Sequence, residues 1–230
     1  MTVQKTLTAG LILGLGLLFG GVSTFAQGSA ELFAKTTAQW WQFVISLPTT
    51  VNPLVDSTGA DCMVGQRGPV WFLAGTFFGG TATRTCSIPE GEALFFPVIN
   101  SVQVNSPNVC GQTGNLGVNA LRALAAPLID AATNLSVQVD GKVVEELVRI
   151  RSVVFAATFP TDNIFNAPCG GPGTVPAGVY SPAVDDGFYA SLKPLSVGSH
   201  TLHIHAEVPS QNFVLDVTYD LRVVPVQLDD

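Results

Sequence analysis

Two histidines spaced two residues apart are the first residues in this chain whose types and spacing could do chemistry. His203 and His205 lie in TLHIHAEV, where Leu202, Ile204, Ala206 and Val208 alternate with Thr201, His203, His205 and Glu207. A period of two is that of an extended strand, so both imidazoles point to the same side. Zinc and copper sites use this geometry. A second alternating run follows, with Phe213, Leu215, Val217, Tyr219, Leu221 and Val223 as its apolar row. With Pro209 to Asn212 as the loop, the two apolar rows meet on one face only if Val208 faces Phe213, Ala206 faces Leu215 and Ile204 faces Val217. That register sets His205 opposite Asp216, His203 opposite Thr218 and Thr201 opposite Asp220. Asp216 is then a third ligand or a partner that orients an imidazole. The candidate metal set is His203, His205 and Asp216, with zinc or copper as the ion. A plainer explanation serves the same residues. One face of a terminal antiparallel hairpin is solvated, and Thr, His, Glu and Asp are what such a face carries.

A second candidate is Arg84 beside Trp71. Alternation places Arg84 on the face shared by Leu73, Ala82, Cys86 and Ile88, which reads as core. A buried guanidinium requires a carboxylate or several carbonyls. Arg84 is therefore either a structural bridge to a loop or an anion-binding group in a cleft next to Trp71. Asp162, Asn163, Asp185 and Asp186 flank a Pro- and Gly-rich stretch and offer hard oxygen donors for calcium, without the spacing of a helix-loop-helix site. Glu90 and Glu92 sit two apart in one turn, unlike a glycosidase pair drawn from separate elements. The chain has no GxSxG, GxxxxGK[ST], HExxH or dinucleotide fingerprint.

These residues must be positioned mostly by strands. Val70 to Phe77, Thr81 to Ile88 and Ala93 to Ile99 read as a meander, turning at Gly79-Gly80 and at Pro89 to Glu92. The first turn would set Trp71 opposite Ile88, Leu73 opposite Cys86 and Gly75 opposite Arg84. The third strand is apolar on both faces, so something must cover its outer side. Ser29 to Leu47 reads as a helix with Phe33, Thr37, Trp40, Trp41 and Val44 on one face, ended by Pro48, and is the expected cover. Asn115 to Asn134 reads as a second helix, kinked or divided at Pro127. Leu135 to Leu147 is a hairpin around Asp140-Gly141, with a bulge at Lys142 expected from the apolar match of Val139 with Val143. Val148 to Phe159 continues as a strand. Pro160 to Asp186 reads as a long loop pinned by Cys169. The expected fold class is mainly β, an antiparallel sandwich-like domain with two helices.

Composition bounds the setting. Hydrophobic residues are 47% and charged residues 12%, enough apolar material for a sizeable core and too little charge for a disordered chain. The net charge of −7 and only four lysines disfavour a phosphate-backbone partner, so no nucleic acid is expected. Residues 1–26 read as a signal peptide, with Lys5 before the apolar run Leu11 to Phe19 and small residues before a junction after Ala26, or alternatively after Ala30. Residues 27–230 then form the exported domain, secreted or periplasmic, with no later run long enough to span a membrane. Four cysteines in an exported chain imply two disulfides. Cys62–Cys86 with Cys110–Cys169 is the favoured pairing, since each ties an irregular segment to its neighbour.

The runs WFLAGT, RTCSIPEGEALFFPVIN and DDGFYASLKPLSVGSHTLHI resemble a family of uncharacterised secreted bacterial proteins. The resemblance extends from about Trp40-Trp41 to the terminal hairpin. It implies export and a β-rich fold and carries no assigned activity. The phrase PLxxGxHTL is also similar to late strands of immunoglobulin-like sandwiches, an analogy of fold only. The expected function is a secreted, non-catalytic binding or surface-associated module of unknown ligand. The alternatives are a metal-binding protein or metal-dependent enzyme at the His-x-His strand, and a secreted hydrolase with a cleft near Trp71 and Arg84.

Overall fold

The computed structural model describes residues 23–226, and the signal-peptide reading of residues 1–26 falls almost wholly outside them. Helix α1 (Ser23–Ser46) contains both candidate cleavage junctions. It is followed by strands β1 (Val70–Phe72), β2 (Gly80–Pro89) and β3 (Ala93–Val104), then helix α2 (Val118–Asp130). The remaining strands are β4 (Thr133–Val139), β5 (Lys142–Val143), β6 (Val148–Arg151), β7 (Phe155–Phe159), β8 (Gly178–Leu192), β9 (Gly198–Val208) and β10 (Phe213–Val224).

Two five-stranded sheets form a sandwich-like, β-rich fold. Sheet A runs β1-β3-β8-β6, with β7 also paired to β8, and sheet B runs β2-β10-β9-β4-β5. Their facing sides bury Leu94, Phe96 and Val98 of β3 against Leu202, Ile204, Leu215, Val217 and Tyr219. Helix α1 covers the outer face of sheet A. There Trp40, Trp41, Val44 and Ile45 bury against Phe95, Ile150, Phe155 and Tyr189. The strand that is apolar on both sides is thus sealed on both sides, as its sequence requires.

The β9–β10 hairpin has the expected register throughout, Val208 to Phe213, Ala206 to Leu215 and Ile204 to Val217. Both disulfides, Cys62–Cys86 and Cys110–Cys169, are formed. Such bonds fit an oxidising, extracytoplasmic environment. Among the described residues no helix is long and apolar enough to cross a membrane.

Five local expectations are corrected. The first hairpin does not exist. β1 pairs parallel with β3, and β2 pairs parallel with β10, so both sheets are mixed. Alternation had identified the buried face correctly, since Ala82, Arg84, Cys86 and Ile88 are all buried. It could not identify the neighbour, because Gly79 and Gly80, at φ 74° and 89°, carry the chain from one sheet to the other. The β4–β5 turn has no bulge: Val139 pairs Lys142 directly. Asp140 and Gly141 both take positive φ, 52° and 74°, which is the two-residue turn that matches strand twist. The 148–159 strand is broken into β6 and β7, both on β8. The long loop ends at Gly178, so Asp185 and Asp186 are buried strand residues. Helix α2 passes through Pro127 undivided, because the proline sits in the last turn, where only one main-chain bond is forfeited.

Candidate functional site

The structure brings the predicted metal residues together. His203 Nε2 lies 3.1 Å from Asp216 Oδ1, and His205 Nδ1 lies 3.0 Å from Asp216 Oδ2. Glu207 joins them, its Oε1 3.1 Å from His205 Nε2, and Asn134 Nδ2 donates to Glu207 Oε2 at 2.9 Å. All four lie on the outer face of sheet B. Burial works against the charged form of His205, but the hydrogen bonds that its ring donates to both carboxylates outweigh it and raise its pKa. Burial likewise opposes ionisation of Asp216, and the two histidine contacts together hold its pKa down. The cluster is therefore an acid–base pair network in which both ring nitrogens of His205 already face carboxylates. Among the described residues, no three His, Cys, Asp or Glu side chains are arranged to hold a metal ion.

Arg84 is a structural bridge. Its guanidinium donates to the main-chain carbonyls of Asp56, Ala74 and Gly75 and to the Tyr219 hydroxyl. The Tyr219 hydroxyl also donates to Ala74 O at 2.7 Å. No carboxylate is involved: several carbonyls satisfy the buried cation instead. Trp71 is buried in the inter-sheet core and Arg84 is buried among those carbonyls, so the two do not form an open cleft together. Three of the four suggested calcium donors, Asn163, Asp185 and Asp186, are also committed elsewhere. Asn163 holds the loop through Pro160 O and Val175 O, and Asp186 pairs with Arg149 through two bonds of 2.9 Å.

A concave feature lies elsewhere, where the chain leaves β1 and diverges from β3. A cleft of about 230 Å³ opens between Gly75 to Phe77 on one side and Pro97 to Val102 on the other. Trp41, Leu54, Phe165, Leu128, Phe213 and Leu215 complete its walls. Phe165 stands edge-on to Phe77, with ring centroids 5.3 Å apart. The polar groups in this lining are Thr76, Asn100, Ser101 and the Trp41 indole, and none of the lining side chains titrates. The Thr76 hydroxyl is buried and has no hydrogen-bond partner. A buried unpaired hydroxyl beside an apolar cleft is a group that a ligand can satisfy.

Behind the cleft lies a network that sequence reasoning missed. Asp185 is fully buried and accepts from Trp41 Nε1 at 2.7 Å and from the Tyr189 hydroxyl at 2.8 Å. Asn100 Nδ2 donates to that hydroxyl at 3.1 Å. Trp41 and Asn100, both in the cleft wall, are therefore held by one carboxyl. Burial pushes Asp185 up to about 8, against the pull of the Trp41 and Tyr189 bonds. Gly187 makes the arrangement possible, since a Cβ there would lie 2.6 Å from Asn100 Cβ and 2.8 Å from Ile99 O. The signal in the sequence was the Asp185-Asp186-Gly187 run inside an otherwise apolar segment. Its partner Trp41 is 144 residues away.

The fold and cleft define a disulfide-locked β-sandwich with one face roofed by a helix. No protein-family model matches the chain, no curated protein matches it, and no solved structure matches it.

Proposed function

We propose that this chain is an exported, non-catalytic binding module, secreted or periplasmic, whose ligand enters the cleft between Gly75 to Phe77 and Pro97 to Val102. The observation that carries this reading is the lining itself: apolar and aromatic walls, a few convergent polar groups, an unpaired Thr76 hydroxyl and no titratable side chain. Catalysis of proton or acyl transfer needs a group within reach that can take or give a proton. Such a lining suits recognition. The two disulfides and the leader-like N-terminal sequence support export. The test is equilibrium binding of the neutral fluorophore N-phenyl-1-naphthylamine to the oxidised protein and to Leu128→Trp, which fills the cleft from α2. Saturable one-to-one binding to the wild type, weakened at least tenfold in the variant, supports the reading. Equal binding by the two proteins, or none by either, refutes it.

A second reading, a zinc- or copper-binding protein, is favoured by the convergence of His203, His205 and Asp216 alone. A metal would have to replace the direct contacts that the two imidazoles now make with Asp216. Zinc or copper titration of the wild type against His203→Ala decides it: a site-specific affinity lost in the variant supports the reading, and indistinguishable titrations end it.

A further inference from the structure

A sheet edge offers unpaired main-chain donors and acceptors to any passing strand, so folded proteins cover, shorten or charge their edges. Most edges of this fold are treated that way. The outer edge of β2 is covered by the loop before β1, with Thr85 N donating to Thr58 O at 2.9 Å and Cys62–Cys86 beside it. That loop approaches so closely that a Cβ at Gly59 would lie 2.3 Å from Thr85 O. At the far side of sheet B, β5 is two residues long and carries Lys142. At the far side of sheet A, β6 is four residues long and carries Arg149 and Arg151, while α1 reaches β7 through Gln42 Nε2 to Ala156 O.

The outer edge of β3 is the exception. β1 pairs with it only from Ala93 to Phe95, and among the described residues no strand continues the ladder to Val104. The groups left over can be named. Asn105 N donates to Pro182 O at 2.9 Å, so Asn105 faces β8. Main-chain groups alternate in direction along an antiparallel strand, so Asn100, Val102 and Val104 turn theirs away from β8. They turn them into open space. Pro97 to Val102 line the cleft already described, and Val102 to Val104 line a second cavity of about 410 Å³. Val102 and Phe165 belong to both, so the two make one trough along the strand edge.

Resting on the binding role proposed above, we infer that the occupant of this trough is an extended peptide segment of a partner protein, added to sheet A as a strand on β3. The guest strand takes up the ladder where β1 leaves it, and so continues an interface that the fold already makes. The eight residues from Pro97 to Val104 accommodate a strand of about eight residues at about 3.3 Å each. No charged side chain lines either cavity, so the centre of the guest is apolar or small and polar. The net charge of −7 favours basic residues at its ends. Main-chain bonds then supply the affinity, and the pockets on either side read alternate side chains.

The probe is a fluorescein-labelled peptide of seven alternating valines and threonines, flanked by two lysines at each end. Its control carries N-methyl groups on alternate residues, which leaves the side chains and removes the ladder donors. The expected result is a saturable anisotropy rise, amide exchange at Asn100, Val102 and Val104 slowed at least tenfold, and affinity for the methylated control at least tenfold lower. Val102→Pro removes one outward N–H and leaves the bonds to β8 in place. It is expected to lose the peptide and keep the naphthylamine, which also shows that it folds. If the variant does not fold, the methylated control carries the test. Equal binding of the two peptides, or no slowing at those three amides, overturns the inference. When the naphthylamine still binds the wild type but not Leu128→Trp, that failure leaves the cleft a ligand site. When the naphthylamine fails as well, both readings fall.

Discussion

Replacing Asp185 with Asn tests the buried network behind the cleft, and its effect can be worked out from the structure. The carboxyl is fully buried and its pKa is pushed up to about 8, from an ordinary value of 3.8. The folded protein therefore binds this proton more tightly than the unfolded chain does. Below about pH 4 both states are protonated and the group costs nothing. As pH rises the unfolded chain ionises first, and stability falls by about 1.4 kcal/mol per pH unit until the folded carboxyl also ionises near pH 8. Over the whole interval the loss is roughly 6 kcal/mol as an upper limit, and between pH 5 and pH 7 it is about 3 kcal/mol. Asparagine has the same shape. It can accept from Trp41 and meet the Tyr189 hydroxyl, but it does not titrate. The expected result is that Asp185→Asn gains about 3 kcal/mol relative to the wild type between pH 5 and pH 7. The assay is urea unfolding of the oxidised proteins, followed by tryptophan fluorescence. The lowered carboxylates Glu31, Asp56, Asp140, Glu207 and Asp216 act in the opposite sense, losing their contribution as pH falls through their depressed values. They are common to both proteins and cancel in the difference. A difference that stays constant from pH 5 to pH 7 would refute the reasoning.

Three further outcomes follow from the packing. Arg84→Met leaves the carbonyls of Asp56 and Gly75 without their donor and Ala74 O with the Tyr219 hydroxyl alone, and the urea midpoint should fall by the equivalent of about 3 kcal/mol or more. Gly187→Ala forces a methyl group against Asn100 and Ile99 O, and should cost about 2 kcal/mol in the same assay while the far-UV spectrum stays β-rich. Removing Cys62–Cys86 by a double alanine substitution opens a link between residues 24 apart, worth about 3 kcal/mol. It also frees the β2 edge, so size-exclusion chromatography should show concentration-dependent oligomers that the wild type does not form.

The terminal hairpin was legible in the sequence because two long alternating runs leave a single register in which both apolar rows are buried. The His203, His205 and Asp216 cluster came with it. Both disulfides were legible because each ties an irregular segment to its neighbour, as Cys62 is tied to Cys86 of β2. Helix α1 announced itself through the spacing of Trp40, Trp41 and Val44. Strand partners were harder. Alternation tells which face of β2 is buried, and it is silent on whether the neighbour is β1 or β10, which starts more than a hundred residues later. The cleft could not be read for the same reason. Its floor and walls come from seven separated segments, and the carboxyl that holds Trp41 belongs to a strand that looked like loop because of its prolines and aspartates. The Arg84 bridge lay between these cases: its burial was visible, and its acceptors, being main-chain carbonyls, were not.

A crystal structure of the oxidised protein grown with indole tests the central claim most directly, because indole is small enough for a cleft of about 230 Å³. The account predicts indole density between Trp41, Phe77 and Phe165, with its N–H within hydrogen-bond distance of the Thr76 hydroxyl. A cleft closed by inward movement of Leu54 and Phe77, or indole bound only elsewhere on the surface, would contradict it.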